Sequence, residues 1–306
     1  MRVHLDTDLG GDPDDLAALA MLLGWPDVEL TGVTTTIDPG GTRAGFAHHA
    51  LVLAGRADVP VVAGAEVSWT TGEPAHPFTD ERYWPADVSP MPSTEAAAVD
   101  LLAASVESGA TVVAVGPQTN LARLEQTRPG TLARATVVVM GGWVRPLGAD
   151  LPPWGAERDF NVQWDTRAAD LVFRGAGDLT MVTLADTLRT PLRERDLPRL
   201  EAAGRLGSLL ARQAVAYAAD KDHASLGRAH EGLPDDLLIF LHDPLVCAVA
   251  LGWAGCPTGE QRLSPTLTGG VLSFRADKAG REVRVASGVD GAAFARRWIE
   301  AVETLT

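Results

Sequence analysis

The chain has 306 residues, 46% of them hydrophobic, two cysteines and a formal net charge of −14. That length can bury a large core, as one α/β domain or two tightly joined ones, while the acidity leaves no basic stripe for nucleic acid. Two cysteines are too few for a disulfide framework, Cys247 and Cys256 lack zinc-site spacing, and no apolar run is long enough to span a bilayer.

Residues 1–5 read as a strand, with no basic and then apolar leader before it, so a reducing, cytoplasmic setting is expected. The strand runs into Asp6-Thr7-Asp8-Leu9-Gly10-Gly11-Asp12-Pro13-Asp14-Asp15, and an apolar, helix-like run from Leu16 to Leu23 follows. Five carboxylates within ten residues exceed what one turn of a fold needs. A hard cation such as Ca²⁺ or Mg²⁺ is bound by such oxygens. Gly10 and Gly11 allow a tight turn, Asp12 suits the N-cap, and Pro13 suits the first helical position. Asp15 falls in the first turn, where the helix dipole favours an anion. Asp8 and Asp15 are therefore expected to hold the cation. Asp8 is expected to look into the crevice beyond the carboxyl ends of the strands, where α/β folds bind ligands, with Asp6 behind it.

Further strands are expected over 28–36, 59–62, 110–115, 135–140 and 179–184, and helices over 42–55, 95–108, 119–126 and 166–173. This alternation predicts an α/β fold, a mostly parallel central sheet with helices on both faces. Residues 262–285 alternate as a small antiparallel addition, a helix over 291–302 follows, and a single domain over 1–306 is expected. Three stretches read as loops: 68–92, 143–164 and 220–236. Loops of that length are usually functional or disordered, and their aromatic residues argue against disorder.

Three more segments stand at strand ends or a helix start. Gly116-Pro117-Gln118-Thr119-Asn120-Leu121-Ala122 follows one strand, and Thr119-Asn120 reads as a helix cap. Val137-Val138-Val139-Met140-Gly141-Gly142 closes another, with Asp159-Phe160-Asn161-Val162 after its loop. Leu241-His242-Asp243-Pro244-Leu245 opens a helix. Together with the 6–15 cluster they resemble the nucleoside hydrolases of the inosine–uridine-preferring N-ribohydrolase type, in motif order and over nearly the whole chain.

The resemblance implies a Rossmann-like fold and a Ca²⁺ ion held by the side chains of Asp8, Asp15 and Asp243 and by the backbone carbonyl of Val115. It implies that the ion also binds a water and the 2′- and 3′-hydroxyls of a ribose, and that Asp8 takes the proton of the water attacking the anomeric carbon. Asp14 would grip the 2′-hydroxyl and Asn161 the 3′-hydroxyl. Asp159 would face the 5′ side of the sugar, Met140 and Phe160 would line the ribose pocket, and His242 would stand near the leaving base as a catalytic residue. The reaction would build oxocarbenium character on the sugar, which surrounding carboxylates stabilise. The substrate would be a nucleoside or related N-riboside, and the protein a homodimer or homotetramer.

Departures from the family pattern bear on these roles. The first motif is two residues longer than the shortest family form. Asp38-Pro39 stands where the family often has Gly-Asn, so that contact to the ribose is either missing or replaced by Asp38. Asp159 replaces the usual Glu with a shorter arm. The usual His-Gly of the first flexible loop is absent, and His76, Tyr83 and Trp84 occupy that region. Trp69, Trp84, Trp143, Trp154 and Tyr217 are candidates to stack on a base, while His223 and His230 read either as proton donors or, more simply, as surface-loop residues. Two other readings compete: a non-catalytic nucleoside or ribose binder on the same fold, and a phosphatase of the haloacid-dehalogenase type with Asp6 as nucleophile and Mg²⁺.

Overall fold

In a computed structural model, the described residues are 1–75, 80, 82–85 and 87–305. In chain order the first half comprises β1 (Arg2–Thr7), α1 (Asp14–Gly24), β2 (Glu29–Thr35), α2 (Thr42–Leu53), β3 (Val61–Ala63), α3 (Glu95–Glu107), β4 (Thr111–Ala114), α4 (Thr119–Thr127) and β5 (Thr136–Met140). The second half comprises α5 (Phe160–Trp164), α6 (Thr166–Gly175), β6 (Asp178–Val182), α7 (Leu184–Thr187), β7 (Pro191–Arg193), α8 (Leu197–Ala202), α9 (Gly204–Asp220), α10 (His223–Ala229), β8 (Leu237–Phe240), α11 (His242–Ala250), β9 (Thr258–Thr268), β10 (Val271–Ala276), β11 (Arg281–Ala286) and α12 (Gly291–Glu303).

Among the described residues, nine strands form one sheet in the order β10-β9-β11-β6-β5-β4-β1-β2-β3. Every pairing from β11 to β3 is parallel, and only β9 against its two neighbours is antiparallel. The expected parallel sheet with a small antiparallel addition is therefore what the chain forms. A separate antiparallel pair, β7 with β8, lies outside it.

The inner strands β4 and β5 are apolar along most of their length because both faces are covered. Along β4, Val112 and Ala114 belong to one core with α3, α4 and α6, while Val113 and Val115 belong to another with α1, α11 and α12. This is the period-2 alternation of a strand buried on both sides. On β1, Val3 and Leu5 enter the α1 core. His4 and Asp6 point the other way, toward Ser105 of α3 and Asn120 of α4.

Two loop expectations are corrected. The stretch 220–236 contains α10, and 143–164 ends in the short α5. His223 is accordingly no surface-loop residue. It is buried, its Nδ1 lies 2.6 Å from the Leu238 carbonyl, and its ring packs edge-on against Tyr217 and Phe240.

Candidate active site

The parallel strands deliver their carboxyl ends to one crevice. β1 brings Asp8, β4 brings Val115, and β5 brings Met140 and the Gly141-Gly142 turn. The first turns of α1 and α11 add Asp14, Asp15 and Asp243. A regular strand would put Asp6 and Asp8 on the same face, but β1 ends at Thr7 and Asp8 leaves the alternation. Gly116 leaves room for it: a Cβ there would come within 2.8 Å of the Asp8 backbone nitrogen and carboxylate.

Carboxylate oxygens of Asp14, Asp15 and Asp243 lie within 4.8 Å of one another. Burial, and then the neighbouring negative charges, hold all three well above the usual carboxylate range. Asp8 stands beside this trio and adds to the repulsion on each member. Its own carboxyl is pushed up to about 6 by burial, against the opposing pull of Arg43. An oxygen-only donor set crowded with negative charge fits a hard divalent cation. Compared with the expected ligands, Asp14 joins Asp15 and Asp243 in the tight group, and Asp8 flanks it. Thr7, unmarked in the sequence reading, donates its hydroxyl to Asp15 and accepts the Leu9 N–H at 3.1 Å. The expected cap is corrected: the N-cap position of α1 is Pro13, with no side-chain cap, while Asp12 stands one residue earlier, accepts the Asp14 N–H at 3.4 Å and binds the Tyr217 hydroxyl.

The Val115 carbonyl accepts Asn161 Nδ2 at 2.5 Å, and the same amide reaches the Met140 carbonyl at 3.3 Å. Asn161 thus bridges the ends of β4 and β5. His242 presents Nδ1 to the Thr187 hydroxyl at 2.7 Å, and burial drives its pKa down to about 3, so the imidazole is neutral at working pH. Around it stand Phe240, His223 and Tyr217 in successive ring contacts.

Several expected contacts belong instead to the fold. Asp38 is buried. It accepts the Thr35 hydroxyl at 2.7 Å and the N–H groups of Arg43 and Ala44 at 2.7 and 2.9 Å, so it caps α2 rather than facing a ribose. Asp159 is buried too. It accepts the Gly142 N–H at 2.6 Å and the Val162 N–H at 3.4 Å, which makes it the cap of α5 and the anchor of the Gly141-Gly142 turn. Phe160 is 52% exposed and packs beside Trp164. Thr119 and Asn120 cap nothing: Thr119 donates to Asp165 at 2.8 Å, and Asn120 donates to Asp6 at 2.7 Å. Among the aromatic candidates, Trp84 is buried on Phe46, Trp69 packs on Arg123, and Trp154 packs on Arg158. Tyr217 stands by the crevice. His76 lies outside the described residues. Asp6 is fully buried, with Oδ1 accepting from both Thr34 and Asn120, a poor position for the nucleophile a phosphatase would require.

Comparison with known proteins gives the class: residues 3–296 match the inosine-uridine preferring nucleoside hydrolase family, to which the chain belongs. Uridine nucleosidase 1 of Arabidopsis thaliana is 33% identical over 211 residues, 65% of this chain and 61% of that protein. The matched stretch is thus less than two thirds of that relative. The pyrimidine-specific ribonucleoside hydrolase RihA of Klebsiella pneumoniae is 28% identical over 271 residues, 82% of this chain and 78% of that protein. Among solved structures, the plant nucleoside hydrolase PpNRh1 superposes with a TM-score of 0.80 at 25% identity, covering 98% of both chains.

Proposed function

We propose that this chain hydrolyses the N-glycosidic bond of a ribonucleoside, releasing ribose and a free base, with Ca²⁺ as its metal. The observation that carries this reading is the meeting of Asp8, Asp14, Asp15, Asp243 and His242 at the carboxyl ends of the parallel strands. Asp8, Asp15, Asp243 and the Val115 carbonyl would hold the ion, with Asp14 alongside. When bound, the ion supplies a Lewis acid that orients the sugar hydroxyls and eases ionisation of a water.

Asp8 is the general base that takes a proton from the attacking water. Asp14 and Asn161 hold the 2′- and 3′-hydroxyls, and the carboxylates around the ring favour its developing positive charge. Met140 lines the sugar side. His242 acts as a neutral hydrogen-bonding group at the leaving base, since its Nδ1 is engaged by Thr187. Tyr217, His223 and Phe240 form the wall on that side. Asp159 contributes from behind, by fixing the Gly141-Gly142 turn.

Ribose release from purine, pyrimidine and nicotinamide ribosides, with Ca²⁺ or with chelator, tests this for the wild type and Asp8→Ala. Uridine heads the panel, because one relative is named for uridine and another for pyrimidines. Release that needs both metal and Asp8 supports the hydrolase. Ca²⁺ and ribose binding without turnover supports the non-catalytic binder. The same proposal includes a cytoplasmic homodimer or homotetramer, which sedimentation would size; no helix among the described residues is long and apolar enough to cross a membrane.

A further inference from the structure

Two of the departures from the family pattern, the lengthened β1–α1 loop and the altered turn after β2, meet in space. Three consecutive carbonyls of the long loop are taken by side chains from elsewhere. Arg43 Nη1 donates to the Asp8 carbonyl and, at 3.3 Å, to that of Leu9. Trp84 Nε1 donates to the Gly10 carbonyl at 3.0 Å. Arg43 also donates from Nε to the Ile37 carbonyl at 3.0 Å, so one guanidinium joins the segments that follow β1 and β2. Its place in the first turn of α2 is set by Asp38, which accepts its backbone N–H. One turn further along α2, Phe46 lies flat on Trp84, with ring centroids 4.4 Å apart and planes 9° from parallel. Gly10 completes the fit at φ +134, where a Cβ would come within 3.0 Å of the Phe46 ring.

We propose that Arg43 and Trp84 are positioning residues, a clamp that shapes the lengthened loop so that Asp8, Asp14 and Asp15 stand where a cation can be held. Two extra residues bring extra backbone groups that must find partners, and a loop without them would slip among several conformations. A guanidinium presents five donors in a fixed fork and can serve several carbonyls at once. An ammonium on a flexible stem is a point charge and cannot reproduce that fork. The clamp itself stands on the hydrogen bonds. Only its consequence for metal binding rests on the hydrolase reading.

The test pairs hydrogen–deuterium exchange of the 8–13 segment in cation-free protein with calorimetric titration of Ca²⁺. The proteins are the wild type, Arg43→Lys, Arg43→Met and Trp84→Phe. Both Arg43 variants are expected to exchange faster over 8–13 and to bind Ca²⁺ about tenfold more weakly, the usual cost of losing a group that orients ligands. Trp84→Phe keeps the ring stack and loses the N–H, so it should speed exchange near Gly10 with a smaller loss of affinity. An Arg43→Lys protein with wild-type exchange and affinity overturns the clamp, because charge alone would then suffice. Unchanged exchange in Arg43→Met overturns it as well. If Arg43→Met fails to fold, Arg43→Lys and Trp84→Phe decide the matter. If the wild type binds no Ca²⁺, the hydrolase reading fails, and exchange still decides whether the clamp exists.

Discussion

Asp8 has two properties that a general base needs: a position in the crevice and a pKa close to the pH of use. Burial pushes its carboxyl up to about 6. The base works only when ionised, so kcat/KM should fall as pH drops through about 6. A bound cation favours the carboxylate and moves that limb lower. His242 is held near 3 by burial and should contribute no limb between pH 5 and 9. Asp8→Asn should lower kcat by about 10²–10⁴-fold, the usual worth of a positioned base; a loss under tenfold in steady-state assays would remove Asp8 from that role. Thr187→Val leaves His242 Nδ1 without its hydroxyl. It should lower kcat more than it raises KM, with Thr187→Ser restoring most of the loss. The acidic cluster could be read from sequence because each of Asp8, Asp14, Asp15 and Asp243 sits at a strand end or a helix start. Asp38 and Asp159 sit at equally suggestive places. Their oxygens are taken by backbone N–H groups of their own turns, a partnership that residue type and spacing do not reveal.

β1 carries a second polar chain on the face away from α1. His4 is fully buried, with Nδ1 2.9 Å from the Ser105 hydroxyl and Nε2 3.0 Å from that of Thr34, which in turn donates to Asp6 at 2.5 Å. Burial lowers the His4 pKa from 6.5 to about 3. The unfolded chain therefore takes up a proton below about 6.5, while the folded one resists until about 3. The stability this provides is complete above 6.5 and drains away as pH falls toward 3. In urea titrations at pH 8 and pH 5, the wild type should lose about 2 kcal/mol more than His4→Gln on acidification. Equal losses in the two proteins would mean that the imidazole is already charged in the fold. Helices and strands with strong periodicity, such as α1, α3 and β4, are plain in the sequence. The polar stretch 220–236 reads as a loop because its helix, α10, is short. What keeps His223 buried there is ring packing against Tyr217 and Phe240, contacts that form only once α9 and β8 are in place.

The molecule folds with several carboxylates packed into its crevice against their own repulsion, and it carries a net charge of −14 besides. Two apolar cores on either side of the sheet hold that arrangement in place. Asp14, Asp15 and Asp243 are held well above the usual carboxylate range by burial and by one another. A divalent cation that binds only the folded state relieves this repulsion and stabilises the whole chain by mass action. At free Ca²⁺ about a hundredfold above Kd the gain is about 2.7 kcal/mol, which corresponds to a rise in Tm of roughly 4 °C for a chain of this size. Protons compete for the same oxygens, so the rise should shrink between pH 8 and pH 5. The net charge alone would give some response to any salt. NaCl at matched ionic strength should therefore raise Tm less than Ca²⁺ does, and Asp243→Asn should abolish the difference between the two salts. An equal rise with NaCl and CaCl₂ in differential scanning calorimetry would show that the crevice is screened rather than filled.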